Sequence, residues 1–134
     1  MSMQIVFPGG RRVEARHRGF SVMTDQPESA GGTNTALSPF ELFLTSLGAC
    51  AGFYVLAFCQ KRGLATDGIS LALDTVSSPA SHGLDRVEIA ITPPHDFPDE
   101  YVAACVRAAD QCAVKSYVDA EKLPVRVRVQ RAGS

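Results

Sequence analysis

Residues 38–63 read SPFELFLTSLGACAGFYVLAFCQKRG, and this stretch decides the architecture. Ser38 can serve as an N-cap, Pro39 sits at the first helical position where its missing N–H costs nothing, and Glu41 completes a capping box. From Phe40 to Cys59 twenty residues carry a single charge, Glu41. The run closes on Gln60-Lys61-Arg62-Gly63, basic residues followed by glycine, as a helix C-terminus prefers. A helix of this length could span a bilayer. However, Thr45, Ser46, Gly48, Ala49, Ala51, Gly52 and Ala57 dilute its hydropathy, and the flanking segments read as amphipathic strands that need a soluble core. The expectation is a core helix, with no membrane involved, that is apolar on all faces. One small domain would struggle to cover such a helix, so part of its surface is expected to be covered by a second subunit in a homodimer.

The rest of the chain fits that frame. Its 134 residues allow one domain, 1–134, and 46% hydrophobic against 20% charged residues exclude a disordered chain. Thirteen basic and fourteen acidic side chains leave a net charge of −1, so no global field attracts nucleic acid. Residues 1–5 lack a charged region followed by an apolar stretch and a small-residue cleavage site. The expectation is a cytoplasmic protein with reduced thiols. There is no CxxC, and His17, His82 and His95 do not fall at zinc-ligand spacings. No metal and no cofactor are expected.

Outward from the helix the periodicity changes. Gln4 to Phe7, Arg11 to Arg16 and Phe20 to Thr24 read as three strands, punctuated by Pro8-Gly9-Gly10 and Gly19. Residues 25–37 collect Gln26, Pro27, Gly31, Gly32 and Asn34 and read as a loop. After Gly68, Ile69, Leu71 and Leu73 alternate with small or polar residues, as do Val87, Ile89 and Ile91; these are two strands with one buried face each. Phe97-Pro98-Asp99-Glu100 opens a second helix, with Val102, Cys105, Ala109 and Cys112 along one face. Val125, Val127 and Val129 suggest a last strand. The order βββ-α-ββ-α-β, with long helices and small antiparallel sheets, is α+β.

The four cysteines are Cys50, Cys59, Cys105 and Cys112. At about 100° per residue, Cys50 and Cys59 face opposite sides of the first helix. Cys105 and Cys112 share a face but lie two turns apart, about 10 Å along the axis, too far for a disulfide. Intramolecular thiol chemistry therefore has to join the first helix to the second. Free cysteine often acts as a small hydrophobe, and that is the reading for Cys59 and Cys105.

Gly32-Thr33-Asn34, Ser38-Pro39-Phe40-Glu41-Leu42-Phe43-Leu44 and Ser46-Leu47-Gly48-Ala49-Cys50 together resemble the stretch leading to the reactive cysteine of the OsmC/Ohr family. Ala109-Asp110-Gln111-Cys112-Ala113-Val114-Lys115 resembles that family's second-cysteine region. The resemblance implies an intertwined homodimer in which two long helices form the core and small sheets wrap around them. It also implies a metal-free peroxidase acting on organic hydroperoxides. Cys50 would attack the peroxide, and Cys112 would resolve the sulfenic acid as a disulfide that a dithiol reductant reopens.

In the family's peroxidases an arginine, held by the glutamate directly after the proline, activates the nucleophile. Here Phe40 follows Pro39 and Glu41 comes one residue later, while no arginine lies between Phe20 and Lys61. Arg11 and Arg12 are the remaining candidates, with Arg16 and Arg18 on the next strand. Without a cation, a buried Cys50 is expected to keep a pKa at or above about 8.5 and to turn over hydroperoxides slowly. Phe43, Leu47 and Tyr54 follow helical spacing around Cys50 and are candidates for an apolar substrate pocket. Two function classes result. One is a cysteine-based redox enzyme; the other is a non-catalytic dimeric protein that binds a small apolar or acidic ligand in the same interfacial pocket.

Overall fold

Helix α1 runs over Pro39–Lys61, and its two ends are fixed by the residues that forecast them. The Ser38 N–H donates to Glu41 Oε1 at 3.1 Å, and the Glu41 N–H donates to Ser38 Oγ at 3.3 Å, so both halves of the capping box are made. At the far end Gly63 takes φ 66°. The Leu64 N–H then reaches the Cys59 carbonyl at 2.9 Å and the Gly63 N–H the Gln60 carbonyl at 3.2 Å, a Schellman ending. The Arg62 guanidinium lies 3.8 Å from the centroid of the Phe58 ring and donates to the Phe58 carbonyl.

The computed structural model describes residues 1–79, 83–119, 123–126 and 128–130. The chain divides into two compact units, Met1–Gly48 and Ala49–Ser134, with α1 running from one into the other. The first unit is an antiparallel meander of β1 (Gln4–Gly9), β2 (Arg12–His17) and β3 (Phe20–Thr24), in that order. Arg18 and Gly19 both have positive φ, 51° and 79°, which gives the β2–β3 hairpin a two-residue turn that follows strand twist.

Loop 25–37 is held by one carboxylate. Asp25 is fully buried and accepts hydrogen bonds from the Thr35 hydroxyl (2.7 Å) and N–H (3.0 Å), the Gln26 N–H (2.8 Å) and the Thr33 hydroxyl (2.8 Å). These donors, the Thr35 pair foremost, hold its carboxyl far below the usual carboxylate range against the opposing effect of burial. Gly32 packs so closely that an added Cβ would collide with the Gln26 carbonyl.

The second unit contains the last turns of α1, the antiparallel pair β4 (Ser70–Val76) and β5 (Arg86–Thr92), a 3-10 turn at Asp99–Tyr101, and helices α2 (Val102–Asp110) and α3 (Ala113–Asp119). Leu71 pairs with Ile91 and Leu73 with Ile89, placing the alternating apolar residues on one sheet face. Val55, Phe58, Cys59 and Cys105 are the buried centre, with Leu64, Ile69, Phe97, Tyr101 and Ala108 among the residues packed on it. The Tyr101 ring meets Phe58 edge-on, centroids 6.1 Å apart.

Two sequence expectations change. The second helix is not continuous: α2 ends at Asp110 and α3 starts at Ala113, so Cys105 and Cys112 do not share a helical face. The physical reason lies in α1, whose opposite sides carry Cys50 and Cys59. A straight helix could not meet both, and the break at Gln111-Cys112 redirects the chain. The strand expected around Val125 to Val129 is not seen among the described residues, and Val127 and His82 lie outside them. Val125 and Val129 are exposed. Helix α1 is itself far from covered: only 28% of its most apolar window is buried in the single chain.

Candidate functional site

The site is built from one residue of α1 and the hinge between α2 and α3, all within the second unit. Cys50 lies midway along α1 and is partly exposed, whereas Cys112 is buried. Cys112 stands directly before α3 and caps it: its Sγ accepts the Lys115 N–H at 3.4 Å, and its carbonyl accepts the Ser116 N–H at 3.1 Å. Lys115 also clasps the hinge, with its ammonium 3.2 Å from Asp110 and 2.6 Å from Asp119. The hinge thereby presents three donors to the Cys50 sulfur: the Cys112 thiol and the N–H groups of Val114 and Ala113.

These donors set the acidity of the pair. Burial pushes the Cys50 thiol up, but the Cys112 thiol and the Val114 and Ala113 N–H groups stabilise the thiolate, and the balance lies below the ordinary cysteine value. Cys112 moves the other way. Burial raises it, the adjacent Cys50 raises it further, and the Lys115 and Val114 N–H groups offset only part of this. The result is a partly exposed sulfur shifted toward its thiolate beside a buried one shifted toward its thiol. The direction is the opposite of what burial alone imposes on Cys50. The Cys112 thiol, with two backbone donors behind it, favours the thiolate where a side-chain cation was expected to do so. Sequence reasoning missed those backbone donors because every residue type but proline carries an N–H, and nothing in the sequence marked the start of α3 directly after Cys112.

The OsmC-like protein family model matches residues 32–128, well over half of the sequence. The chain belongs to the OsmC-like family. Solved structures agree on the fold. A Psychrobacter arcticus protein, named for osmotic stress and a detoxification response, superposes with a TM-score of 0.74 at 23% identity, over 87% of this chain and 86% of that one. An organic hydroperoxide resistance protein OsmC from Legionella pneumophila gives 0.56 at 17% identity, over 88% and 89%. The organic hydroperoxide resistance protein OhrB of Bacillus subtilis gives 0.53 at 18% identity, over 87% and 90%. No curated protein matches the sequence.

Within this OsmC-like chain the other candidate residues are distributed as follows. Glu41 is engaged in the capping box, and the Ser38 N–H holds its carboxyl below the usual value. Arg11 and Arg12 line an open groove of about 540 Å³ in the first unit, with Phe7, Val13, Gln26 and Ala30. Arg12 Nε donates to the Gly9 carbonyl at 3.3 Å. Arg16 is paired to Glu14 at 2.9 Å, and Arg18 lies against the Phe20 ring. Of the proposed pocket residues, Leu47 is buried, Phe43 sits against Phe40, and the Tyr54 ring meets Phe53 edge-on. Among the described residues no group of three His, Cys, Asp or Glu side chains converges as a metal site would require. The structure also brings together a second cysteine couple that the sequence reading treated as packing: Cys59 and Cys105.

Proposed function

We propose that this protein is a thiol-dependent reductase of organic hydroperoxides, with Cys50 as nucleophile and Cys112 as resolving thiol. The observation that carries the reading is the placement of a partly exposed Cys50, shifted toward its thiolate, beside a buried Cys112, shifted toward its thiol. In the first step the Cys50 thiolate attacks the peroxide oxygen bearing hydrogen, the O–O bond breaks, and the alkoxide leaves with a proton as alcohol. Cys50 is now a sulfenic acid. The Cys112 thiol then displaces its hydroxyl as water, and the two sulfurs are joined as a disulfide. A dithiol reductant reopens it by exchange and leaves as its own disulfide. The family assignment and the hydroperoxide-resistance names of structural neighbours support the substrate class. We further infer that the working unit is a homodimer, supported by the uncovered apolar length of α1.

The test is turnover of cumene hydroperoxide with a dithiol as electron donor. Cys50→Ser is expected to abolish it. Cys112→Ser should stop multiple turnover while leaving one equivalent of peroxide consumed, with a sulfenic acid at Cys50 that a dimedone-type probe traps. Turnover that survives Cys50→Ser would overturn the assignment.

A further inference from the structure

We propose that Cys59 and Cys105 form a second disulfide site, closed by hydrogen peroxide entering the cavity beside Cys105, that ties α1 to α2. Cys59 is wholly buried and Cys105 is 4% exposed, and both belong to the same core cluster. They come from different helices and lie close enough in the core that Cys59 helps push the Cys105 thiol up. Two thiols brought into one buried cluster from separate elements are the arrangement a disulfide can close, whereas a cysteine that only fills space needs no second thiol near it. Cys105 also borders a cavity of about 40 Å³, walled by Ile69, Ile91, Pro93, Phe97, Val102 and Val106. A space of that size holds a molecule little larger than water, so it admits hydrogen peroxide and excludes bulky hydroperoxides.

The chemistry balances with that oxidant alone. Cys105 sulfur takes one oxygen from hydrogen peroxide, releasing water and becoming a sulfenic acid. The Cys59 thiol attacks it, a second water leaves, and the sulfur–sulfur bond forms. The peroxide is reduced by two electrons and the two thiols are oxidised by two. The attacking species is a thiolate, and burial together with Cys59 pushes the Cys105 thiol up, so closure is slow beside reaction at Cys50. Both couples join α1 to the α2–α3 segment, one on each side of α1. The second therefore closes only under sustained peroxide, when it fixes α2 in place.

The experiment uses the Cys50→Ser, Cys112→Ser protein, in which Cys59 and Cys105 are the remaining cysteines. Under excess hydrogen peroxide both thiols should disappear together, with a mass lower by two hydrogens and a linked peptide pair joining Cys59 to Cys105. Dithiothreitol should restore both. The rate should be about tenfold or more below that of Cys50 in the unmodified chain, and cumene hydroperoxide should react more slowly still. Oxygen addition at Cys105 with Cys59 left free, linkage between chains, or persistence of both thiols would each overturn the proposal. Should the double variant not fold, peptide mapping of the unmodified protein during oxidation decides. The Cys59–Cys105 pair must appear after the Cys50–Cys112 pair, and its absence after exhaustive oxidation overturns the proposal. Because the variant lacks Cys50 and Cys112, failure of the peroxidase reading leaves this result unaffected.

Discussion

At Cys50 the acidity is set by groups of other residues, the Cys112 thiol first and two backbone N–H groups after it. A thiolate there is favoured by the Val114 and Ala113 N–H groups and the Cys112 thiol, against the cost of burial. The sign follows directly: a lowered thiol pKa means that iodoacetamide alkylates Cys50 at lower pH than an ordinary cysteine, whereas Cys112 and Cys105, both raised, react only at higher pH. Ala113→Pro isolates the cause. Proline is accommodated at the first position of a helix, so α3 keeps its shape, but the donor to Cys50 is gone. Loss of a hydrogen bond to a charged sulfur disfavours the thiolate, so the alkylation midpoint should rise, with the larger Cys112 contribution left in place. An unchanged midpoint would return the role to a side-chain cation. The identities of Cys50 and Cys112 were legible because side-chain motifs spell them. The donors were not, since Ala113 and Val114 contribute only groups that any residue but proline has.

Among the elements, α1 was readable to within a residue or two because its signals are local: Ser38 and Glu41 at one end, Gly63 at the other. Ser38→Ala should cost about 1 kcal/mol of stability in chemical denaturation. The break between α2 and α3 was not readable. Residues 109–113 contain neither glycine nor proline, so no local breaker marks the interruption. Loop 25–37 shows the same divide, since its glycines announced a loop but not the buried Asp25 that organises it. The Asp25 carboxyl is lowered, so its stabilisation is present above the unfolded pKa of about 4 and is lost as pH falls through the lower folded value. Asp25→Asn should therefore lower Tm at pH 7 and flatten the fall of Tm below about pH 4. A variant with the parent's acid profile would remove Asp25 from that role. Gly32→Ala should disrupt the same loop through collision with the Gln26 carbonyl.

For the whole molecule the unresolved account is that of apolar surface. Along α1, Ala49, Phe53 and Leu56 fall at i, i+4 and i+7, and all three are exposed, Phe53 at 60%. A helix whose apolar window is only 28% buried is neither a finished core helix nor a typical soluble surface. A second copy of the same chain, packing α1 on α1 about a two-fold axis, would cover it with the surface it already has. Sedimentation at micromolar concentration should then show a dimer. In a two-fold interface each substitution acts twice, and burying a phenylalanine contributes about 1.5–3 kcal/mol. Phe53→Ala should thus weaken dimerisation by roughly two to four powers of ten, from about 3–6 kcal/mol lost across both copies. Phe53→Glu should weaken it further through charge burial, with a smaller effect on the Cys59-centred core, since Phe53 is exposed in the single chain. A parent protein that sediments as a folded monomer, or a Phe53→Glu variant that dimerises as tightly as the parent, would mean that α1 is covered by something else.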